Sequence, residues 1–245
     1  MILDIDAGNT RIKWRIVDGD TVVSRGDQAT QLNRQGLALE ISLSGRIERI
    51  RVSCVAGKEI IENLHSQLCE QFDCRLEIAE VTESTGSVVC GYRDYSQLGV
   101  DRWLALVAAY AKNNDAVIVV DAGSAFTIDI VGSDGVHQGG YIVPGLRLMH
   151  GALWQGTERI KVEAKPIADI NSPGIDTGEA VDKGCLISLV AMIESLAAKY
   201  QSRVVITGGD ALLLRDALKV DTELCPDLVL DGLAVEGVGL RVVER

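Results

Sequence analysis

Short runs in which hydrophobic and polar positions alternate occur near the start of this chain and again near its middle. Alternation of this kind predicts strands. The predicted strands cover residues 2–5, 11–17 and 21–25 in the first set and 116–120, 126–131 and 136–142 in the second. In each set the first strand runs into Asp-Ala-Gly and a small polar residue, at Asp6 and at Asp121. We therefore predict two halves of related topology, residues 1–115 and 116–245.

Apolar residues at helical spacing fill the intervals between these strands. The predicted helices cover residues 32–43, 58–72, 103–111, 146–154 and 177–200, with a further one after Asp210 through Leu218. Additional strands are predicted at residues 47–54, 76–81 and 203–206. This order of elements is typical of an α/β fold. Two polar stretches, 82–99 and 155–173, are irregular, and the first is long enough to favour a functional loop.

The repeated Asp-Ala-Gly turn carries groups that suit phosphate binding. Glycine lets the chain turn with its N–H groups pointing outward, and the hydroxyl or amide that follows adds another donor. The aspartate is a ligand type that holds the Mg²⁺ accompanying a nucleotide. One such turn is more often a plain hairpin turn, but two copies at matching places favour a phosphate clamp. No dinucleotide fingerprint or Walker motif occurs, and both of those would run from a strand into a helix.

Two further segments begin helices with chemically suggestive residues. Gly99-Val100-Asp101-Arg102 precedes a strongly helical run, so Asp101 is either a helix cap or a reactive carboxylate, and Arg102 is either a solvated charge or a ligand-binding group. Thr207-Gly208-Gly209 ends a strand and opens a helix. A diglycine there allows an adenine or ribose to approach the backbone, or it is a structural turn.

The overall composition narrows the class of protein. The 35 acidic and 24 basic residues give a net charge of −11, which argues against a nucleic-acid partner. With 47% hydrophobic residues, the chain can form a core. Its six cysteines form no CxxC pair, so we expect reduced core thiols in a cytoplasmic protein. No apolar run approaches the roughly 18 residues of a membrane span, and we expect neither secretion nor membrane insertion.

Six short motifs occur in a fixed order along the chain. They are Asp6 to Thr10 (DAGNT), Gly99 to Arg102 (GVDR), Asp121 to Asp129 (DAGSAFTID), Gly139 to Gly145 (GGYIVPG), Asp176 to Ala180 (DTGEA) and Thr207 to Gly209 (TGG). Together they resemble the type III pantothenate kinases over essentially the whole chain. That family belongs to the acetate and sugar kinase and actin superfamily. The resemblance implies an α/β fold of two ribonuclease-H-like halves, each a mixed five-stranded sheet with flanking helices, with an ATP cleft between them.

The same resemblance implies the reaction and its participants. The expected activity is ATP-dependent phosphorylation of pantothenate to 4′-phosphopantothenate, the first step of coenzyme A biosynthesis. It implies Mg²⁺ and a monovalent cation, K⁺ or NH₄⁺, as cofactors, and a homodimer as the assembly. Asp101 corresponds to the catalytic base, Asp6 to the Mg²⁺ ligand and Asp121 to the monovalent-cation ligand.

The resemblance also implies two groups of binding residues. Those expected around ATP and its phosphates are Asp6, Ala7, Gly8, Asn9, Thr10, Arg11, Ile12, Lys13, Ser124, Gly208 and Gly209. Those expected to contact pantothenate are Tyr92, Gly99, Val100, Asp101, Arg102 and Thr177. The three histidines, His65, His137 and His150, lie outside these motifs, and we interpret them as structural or surface residues.

The chain departs from the family pattern at two positions. Ser124 replaces the usual threonine and keeps its hydroxyl, whereas Asp176 replaces the commoner asparagine and adds a negative charge near the expected pantothenate site. Two alternatives to the kinase interpretation remain open. The first is a non-catalytic regulatory homologue, against which the presence of Asp6, Asp101 and Asp121 argues. The second is a kinase for another small alcohol or acid, which a panel of acceptors would distinguish.

Overall fold

The computed structural model describes residues 1–41, 45–156, 170 and 172–243. The chain forms two compact units. The first comprises Met1–Asn114, Gly135–His137 and Asp227–Arg245, and the second comprises Asp115–Asp134 and Gln138–Pro226.

The first unit is built on a mixed sheet covered by helices. Its strands are β1 (Ile2–Ala7), β2 (Arg11–Asp18), β3 (Thr21–Ala29), β4 (Arg49–Cys54), β5 (Leu76–Glu80), the short hairpin β6 (Ser84–Thr85) and β7 (Val88–Val89), and β13 (Gly239–Val242). Its helices are α1 (Thr30–Arg34), α2 (Lys58–Phe72), α3 (Val100–Ala111) and α7 (Leu228–Leu233), with a 3₁₀ turn at Tyr95–Gln97. The main sheet has six strands in the order β13-β5-β4-β1-β2-β3.

The alternation along β1 gives this sheet two different faces. Leu3 and Ile5 point into a hydrophobic core that includes Leu64 and Leu68 of α2. The other face carries Asp4 and Asp6, because side chains alternate along a strand. The strand therefore presents carboxylates on the face opposite the α2 core.

The second unit repeats this topology with its own sheet. Its strands are β8 (Val117–Ala122), β9 (Ala125–Val131), β10 (His137–Pro144), β11 (Arg203–Thr207) and β12 (Thr222–Leu224), and its helices are α4 (Leu146–Gly156), α5 (Thr177–Tyr200) and α6 (Ala211–Ala217). The sheet order is β10-β9-β8-β11-β12. β8 pairs antiparallel with β9 and parallel with β11, as β1 pairs with β2 and β4. The predicted duplication of the strand-turn-strand unit is confirmed.

The first sheet differs from the expected five strands because it gains β13 from the end of the chain. β13 pairs antiparallel with β5, and α7 packs on α3, so the chain from Asp227 onward belongs to the first unit. The predicted second half, 116–245, is therefore shorter at its C-terminal end in the structure. This final segment is mostly apolar, and its residues gave no sequence signal for which sheet edge the strand would complete.

One predicted helix is wrong. Residues 32–43 were expected to be helical, but α1 ends at Arg34 and Gly36 follows in a left-handed conformation at φ +82°. Leu39 lies instead against α2, where its N–H donates to Gln67 Oε1 at 3.0 Å and its carbonyl accepts from Gln67 Nε2 at 3.0 Å. Leu39 and Ile41 are buried in the core, so apolar spacing there reflected burial and not a helix. Leu43, the last residue of that prediction, lies outside the described residues.

None of the helices in the described part of the chain combines the length and the apolar character needed to cross a membrane.

Candidate active site

The first Asp-Ala-Gly turn, between β1 and β2, is fixed by its own backbone and by α1. Gly8 N–H donates to Arg11 O at 3.0 Å, Thr30 Oγ1 donates to Gly8 O at 2.7 Å, and Thr30 N–H donates to Thr10 O at 3.0 Å. Asn9, Thr10 and Arg11 are exposed. The turn therefore presents polar groups to solvent from a rigid base.

The residues expected around the phosphates divide into two kinds. Ala7 and Ile12 have side chains buried in the core, so only their backbone groups are available to a ligand. Arg11 is exposed and forms an ion pair with Asp27. Side-chain hydrogen bonds from this loop to a ligand can therefore come only from its polar residues.

Asp6 stands in a row of polar residues across three strands. In the strand register it faces Lys13 on β2 and Ser53 on β4, and register partners project from the same face of a sheet. Within the described residues, no group of three or more His, Cys, Asp or Glu is placed to hold a metal ion. A single carboxylate beside this turn nevertheless fits Mg²⁺, which takes one or two carboxylates and completes its shell with water and phosphate.

The second turn, between β8 and β9, is enclosed by two glycines from distant motifs. Gly145 N–H donates to Ser124 O at 3.0 Å, and a Cβ on Gly145 would overlap Gly123 O. Gly208 adopts φ +98°, and a Cβ there would lie 2.6 Å from Asp121 Oδ1. Both positions require glycine because the backbone approaches the turn directly.

The second unit therefore brings three predicted motifs together at Asp121. Asp210 N–H adds a further bond to Ala122 O at 3.0 Å. Burial raises the pKa of Asp210, and Arg147 of α4 acts in the opposite direction. Gly209 has open space where its Cβ would be. Gly208 contacts the Asp121 turn, whereas Gly209 leaves room on its side for a ligand.

The GVDR motif forms the start of α3, with Gly99 as the residue before the first turn. The interpretation of Asp101 as the helix cap is wrong, since Gly99 occupies the cap position and Asp101 lies inside the first turn. Asp101 Oδ1 accepts a bond from Arg102 N–H at 2.8 Å. A Cβ on Gly99 would lie 2.6 Å from that same oxygen, so glycine makes space for the carboxylate.

Arg102 is held by Tyr92, which is one ring of a stacked aromatic pair. Its side chain is only 8% exposed, which excludes the interpretation as a solvated charge. Arg102 Nη1 donates to Tyr92 Oη at 3.0 Å, and Arg102 Cζ lies 5.7 Å from the centre of the Tyr92 ring. The other ring is that of His137, which stacks on Tyr92 at 5.7 Å between centroids and 15° between planes. The structure thus brings Tyr92, Gly99, Asp101 and Arg102 together in the first unit.

His137 is the residue of this cluster that sequence reasoning missed. It was interpreted as structural or surface, and no motif or spacing set it apart from the other two histidines. The structure buries it in contact with Tyr92.

Thr177 belongs to the second unit and is the first residue of α5. It lines a groove of about 430 Å³ between α4 and α5, together with Leu153 and Cys185. Asp176 is the cap of α5, and its side chain accepts from Glu179 N–H at 2.8 Å. Aspartate and asparagine both perform this role, which accounts for the departure at this position.

The sequence model of the type III pantothenate kinase family matches residues 2–199 of this chain. The chain belongs to this family. Curated members named type III pantothenate kinase are 38% identical in Ectopseudomonas mendocina, 35% in Azotobacter vinelandii and 36% in Pseudomonas aeruginosa. Each alignment covers 96% of this chain and 98% of the relative.

Two solved structures with low sequence identity to this chain show the same fold. A Campylobacter jejuni protein assigned to the Baf family of transcriptional activators has a TM-score of 0.61 at 21% identity, over 95% of each chain. A Sinorhizobium meliloti protein assigned as a 2-dehydro-3-deoxygalactonokinase has a TM-score of 0.61 at 14% identity, over 96% of this chain and 97% of that one. At these identities the likeness concerns the fold alone. The likeness to these two structures confirms the predicted α/β fold.

Proposed function

We propose that this chain transfers the γ-phosphate of ATP to the 4′-hydroxyl of pantothenate, the first step of coenzyme A biosynthesis. The observation that carries this proposal is the cluster of Asp101, Arg102 and Tyr92 in a member of the type III pantothenate kinase family. A reactive carboxylate, a fixed guanidinium and a phenol together suit an acceptor that has both an alcohol and an acid group.

Asp101 is the proposed catalytic base. Phosphoryl transfer requires mainly charge neutralisation and in-line placement of the acceptor. Asp101 orients the primary hydroxyl and accepts its proton late, as the bond to phosphorus forms. Its position in the first turn of α3 favours a charged carboxylate, because the N-terminus of a helix is the positive end of its dipole.

Arg102 is proposed to bind the acceptor alongside Gly99, Val100 and Tyr92. Its planar guanidinium has further N–H donors besides the one given to Tyr92, and such a fork matches an anionic oxygen pair. Thr177 is proposed as an additional pantothenate contact from the start of α5. Its exposed position at a groove supports that assignment.

The two turns are proposed to bind the nucleotide and its cations. Asp6 would hold Mg²⁺, and the segment from Ala7 to Lys13 would surround the phosphates, with Ala7 and Ile12 contributing backbone groups. When bound, Mg²⁺ neutralises charge on the phosphate oxygens. Ser124 would contact ATP, Gly208 and Gly209 would lie by the adenosine, and Asp121 would bind K⁺ or NH₄⁺. A carboxylate packed against backbone groups of Gly208 supports a site for a hard cation.

We further propose a homodimer located in the cytoplasm. Exposed large apolar side chains in the second unit support the dimer, since such side chains are often covered at protein interfaces. They are Tyr141, Ile142, Leu148, Trp154, Ile175 and Ile187. All six cysteines are free thiols, a state that the cytoplasm maintains.

The proposed function is tested by incubating the purified protein with ATP, Mg²⁺ and pantothenate, with and without added K⁺ or NH₄⁺. We expect 4′-phosphopantothenate, detected by mass spectrometry, at a rate that rises when the monovalent cation is added. A panel of sugars and small acids serves as the control for acceptor choice. Absence of product with every acceptor would favour the regulatory alternative, and preference for a sugar would favour the other kinase.

A further inference from the structure

The segment Gly135–His137 packs in the first unit although the chain on either side of it belongs to the second. Val89 N–H donates to Gly135 O at 3.0 Å, and Val89 forms a parallel bridge with Val136. Gly135 adopts φ +79°, and a Cβ at this position would overlap Ser87 O. The backbone contact with β7 therefore requires glycine, and it fixes the start of β10 beside the loop that carries Tyr92.

His137, at the end of this segment, is the base of a column of three side chains. The His137 ring is 1% exposed and stacks on Tyr92 with nearly parallel planes. Tyr92 in turn accepts a hydrogen bond from Arg102 and lies under its guanidinium. The three residues come from the start of β10, from the loop between β7 and the 3₁₀ turn, and from α3.

The column matters because Tyr92 lies outside every helix and strand. Side chains on such loops have more conformational freedom than those on regular elements. A stacked ring restricts the Tyr92 rotamer, and the Tyr92 hydroxyl then restricts the guanidinium of Arg102. We propose that His137 is a positioning residue of the acceptor site, holding Tyr92 where it fixes Arg102 for the anionic acceptor. This inference rests on the proposed function, in which Tyr92 and Arg102 contact pantothenate.

A ring that only fills space is replaceable by leucine, whereas a ring that stacks is replaceable by another flat ring. His137→Leu and His137→Asn remove the stack, and His137→Phe keeps it. Aromatic pairs are modest interactions, so we expect the KM for pantothenate to rise about three- to tenfold in the first two variants. The KM for ATP stays at the wild-type value in all three, and His137→Phe restores a pantothenate KM close to wild type.

One control variant and one fallback comparison make the result decisive. His65→Leu makes the same chemical change on α2 and leaves both KM values unaltered. If His137→Leu does not fold, as judged by circular dichroism, the comparison of His137→Asn with His137→Phe decides. A wild-type pantothenate KM in the non-aromatic variants, an equal loss in His137→Phe, or a matching rise in the KM for ATP overturns the inference.

Tyr92→Phe and Arg102→Lys separate this inference from the proposed function. If both raise the KM for pantothenate while the non-aromatic His137 variants do not, the acceptor site stands and the positioning role of His137 is wrong. If neither raises it, or if the wild type does not phosphorylate pantothenate, the site assignment fails and the inference fails with it.

Discussion

Asp101 and Arg102 are adjacent in sequence but lie in different environments. Asp101 is half-buried and accepts from the backbone at the start of α3, whereas Arg102 is buried against Tyr92. The difference arises because consecutive helical residues point about 100° apart. One turn of helix thus presents a carboxylate and a guanidinium in separate directions, which is what a base and an anion-binding group require.

Replacing the Asp101 carboxylate with an amide tests the proposed base. Asp101→Asn keeps an oxygen that accepts from Arg102 N–H, so the turn is expected to fold normally. We expect kcat to fall by about 10²- to 10⁴-fold, the usual contribution of general base catalysis. ATP binding, measured by calorimetry, stays at the wild-type level.

Asp94→Asn is the matched control for this variant. Asp94 is an exposed carboxylate whose hydrogen bonds with Ser96 lower its pKa, and it caps the 3₁₀ turn. The kcat of the Asp94→Asn enzyme is expected to remain near that of the wild type. An Asp101→Asn enzyme that keeps most of its rate would show that another group accepts the proton.

Gly208 and Gly209 provide a second contrast between neighbours. A methyl group on Gly208 meets the Ala122 backbone and the Asp121 carboxylate and strains a left-handed conformation, whereas one on Gly209 meets nothing within 4 Å. We expect Gly208→Ala to lower the free energy of unfolding by about 2 kcal/mol or more. Gly209→Ala is expected to change it by less than about 0.5 kcal/mol. Urea denaturation of both variants measures the difference, and equal effects would contradict the close packing at Asp121.

At the level of elements, a buried ion network joins three strands of the first sheet to α7. Asp4 is fully buried and accepts from Arg15 Nε at 3.2 Å and from Arg51 Nε and Nη2 at 2.7 and 3.0 Å. Arg15 also donates to Asp231 at 2.5 Å and to Leu230 O at 2.9 Å. The network attaches the returning C-terminal helix to β1, the strand that carries Asp6.

Arg51→Met tests whether this network supports the fold. The change leaves the buried Asp4 carboxylate with one arginine partner. Because removing a partner from a buried ion pair is strongly destabilising, we expect the free energy of unfolding to fall by about 3 kcal/mol. Arg49→Met is the control two residues away on the same strand, where the pair with Glu77 is partly exposed. We expect Arg49→Met to lower the free energy of unfolding by less than about 1 kcal/mol. Similar urea midpoints for the two variants would show that the Asp4 network contributes no more than a surface ion pair.

For the whole molecule, the proposed dimer depends on exposed apolar side chains of the second unit. Ile187 of α5 is 50% exposed and lies beside the groove residue Ser188. We expect sedimentation velocity to show a dimer of the wild type at micromolar concentration. Ile187→Asp is expected to weaken it about tenfold or more, because an unpaired charge would be buried at the interface.

Leu212→Asp is the control for this experiment. Leu212 has a similar exposure of 53% and lies on α6, another helix of the second unit. Its substitution is expected to leave the dimer intact. A wild type that sediments as a monomer, or equal effects of the two variants, would contradict an interface on α5.

Local signals in the sequence were sufficient for some elements and not for others. The predicted bounds of α2 and α5 coincide with the structure, because each has a long apolar period and clear ends. The helix expected over residues 32–43 failed because Leu39 and Ile41 are apolar for a tertiary reason, namely burial against α2. Periodicity over a short window does not distinguish an amphipathic helix from an irregular segment whose apolar residues are buried.

The sequence by itself determined the family, the two Asp-Ala-Gly turns and the strand-turn-strand unit around each, because these depend on residues close together in the chain. Only the tertiary structure decided that β13 completes the first sheet, that Gly208 and Gly145 enclose the Asp121 turn, and that His137 stacks on Tyr92. Each of these contacts joins residues far apart in sequence. Such contacts depend on how sheets and loops pack, and a residue's own sequence neighbours do not indicate which distant residue it will meet.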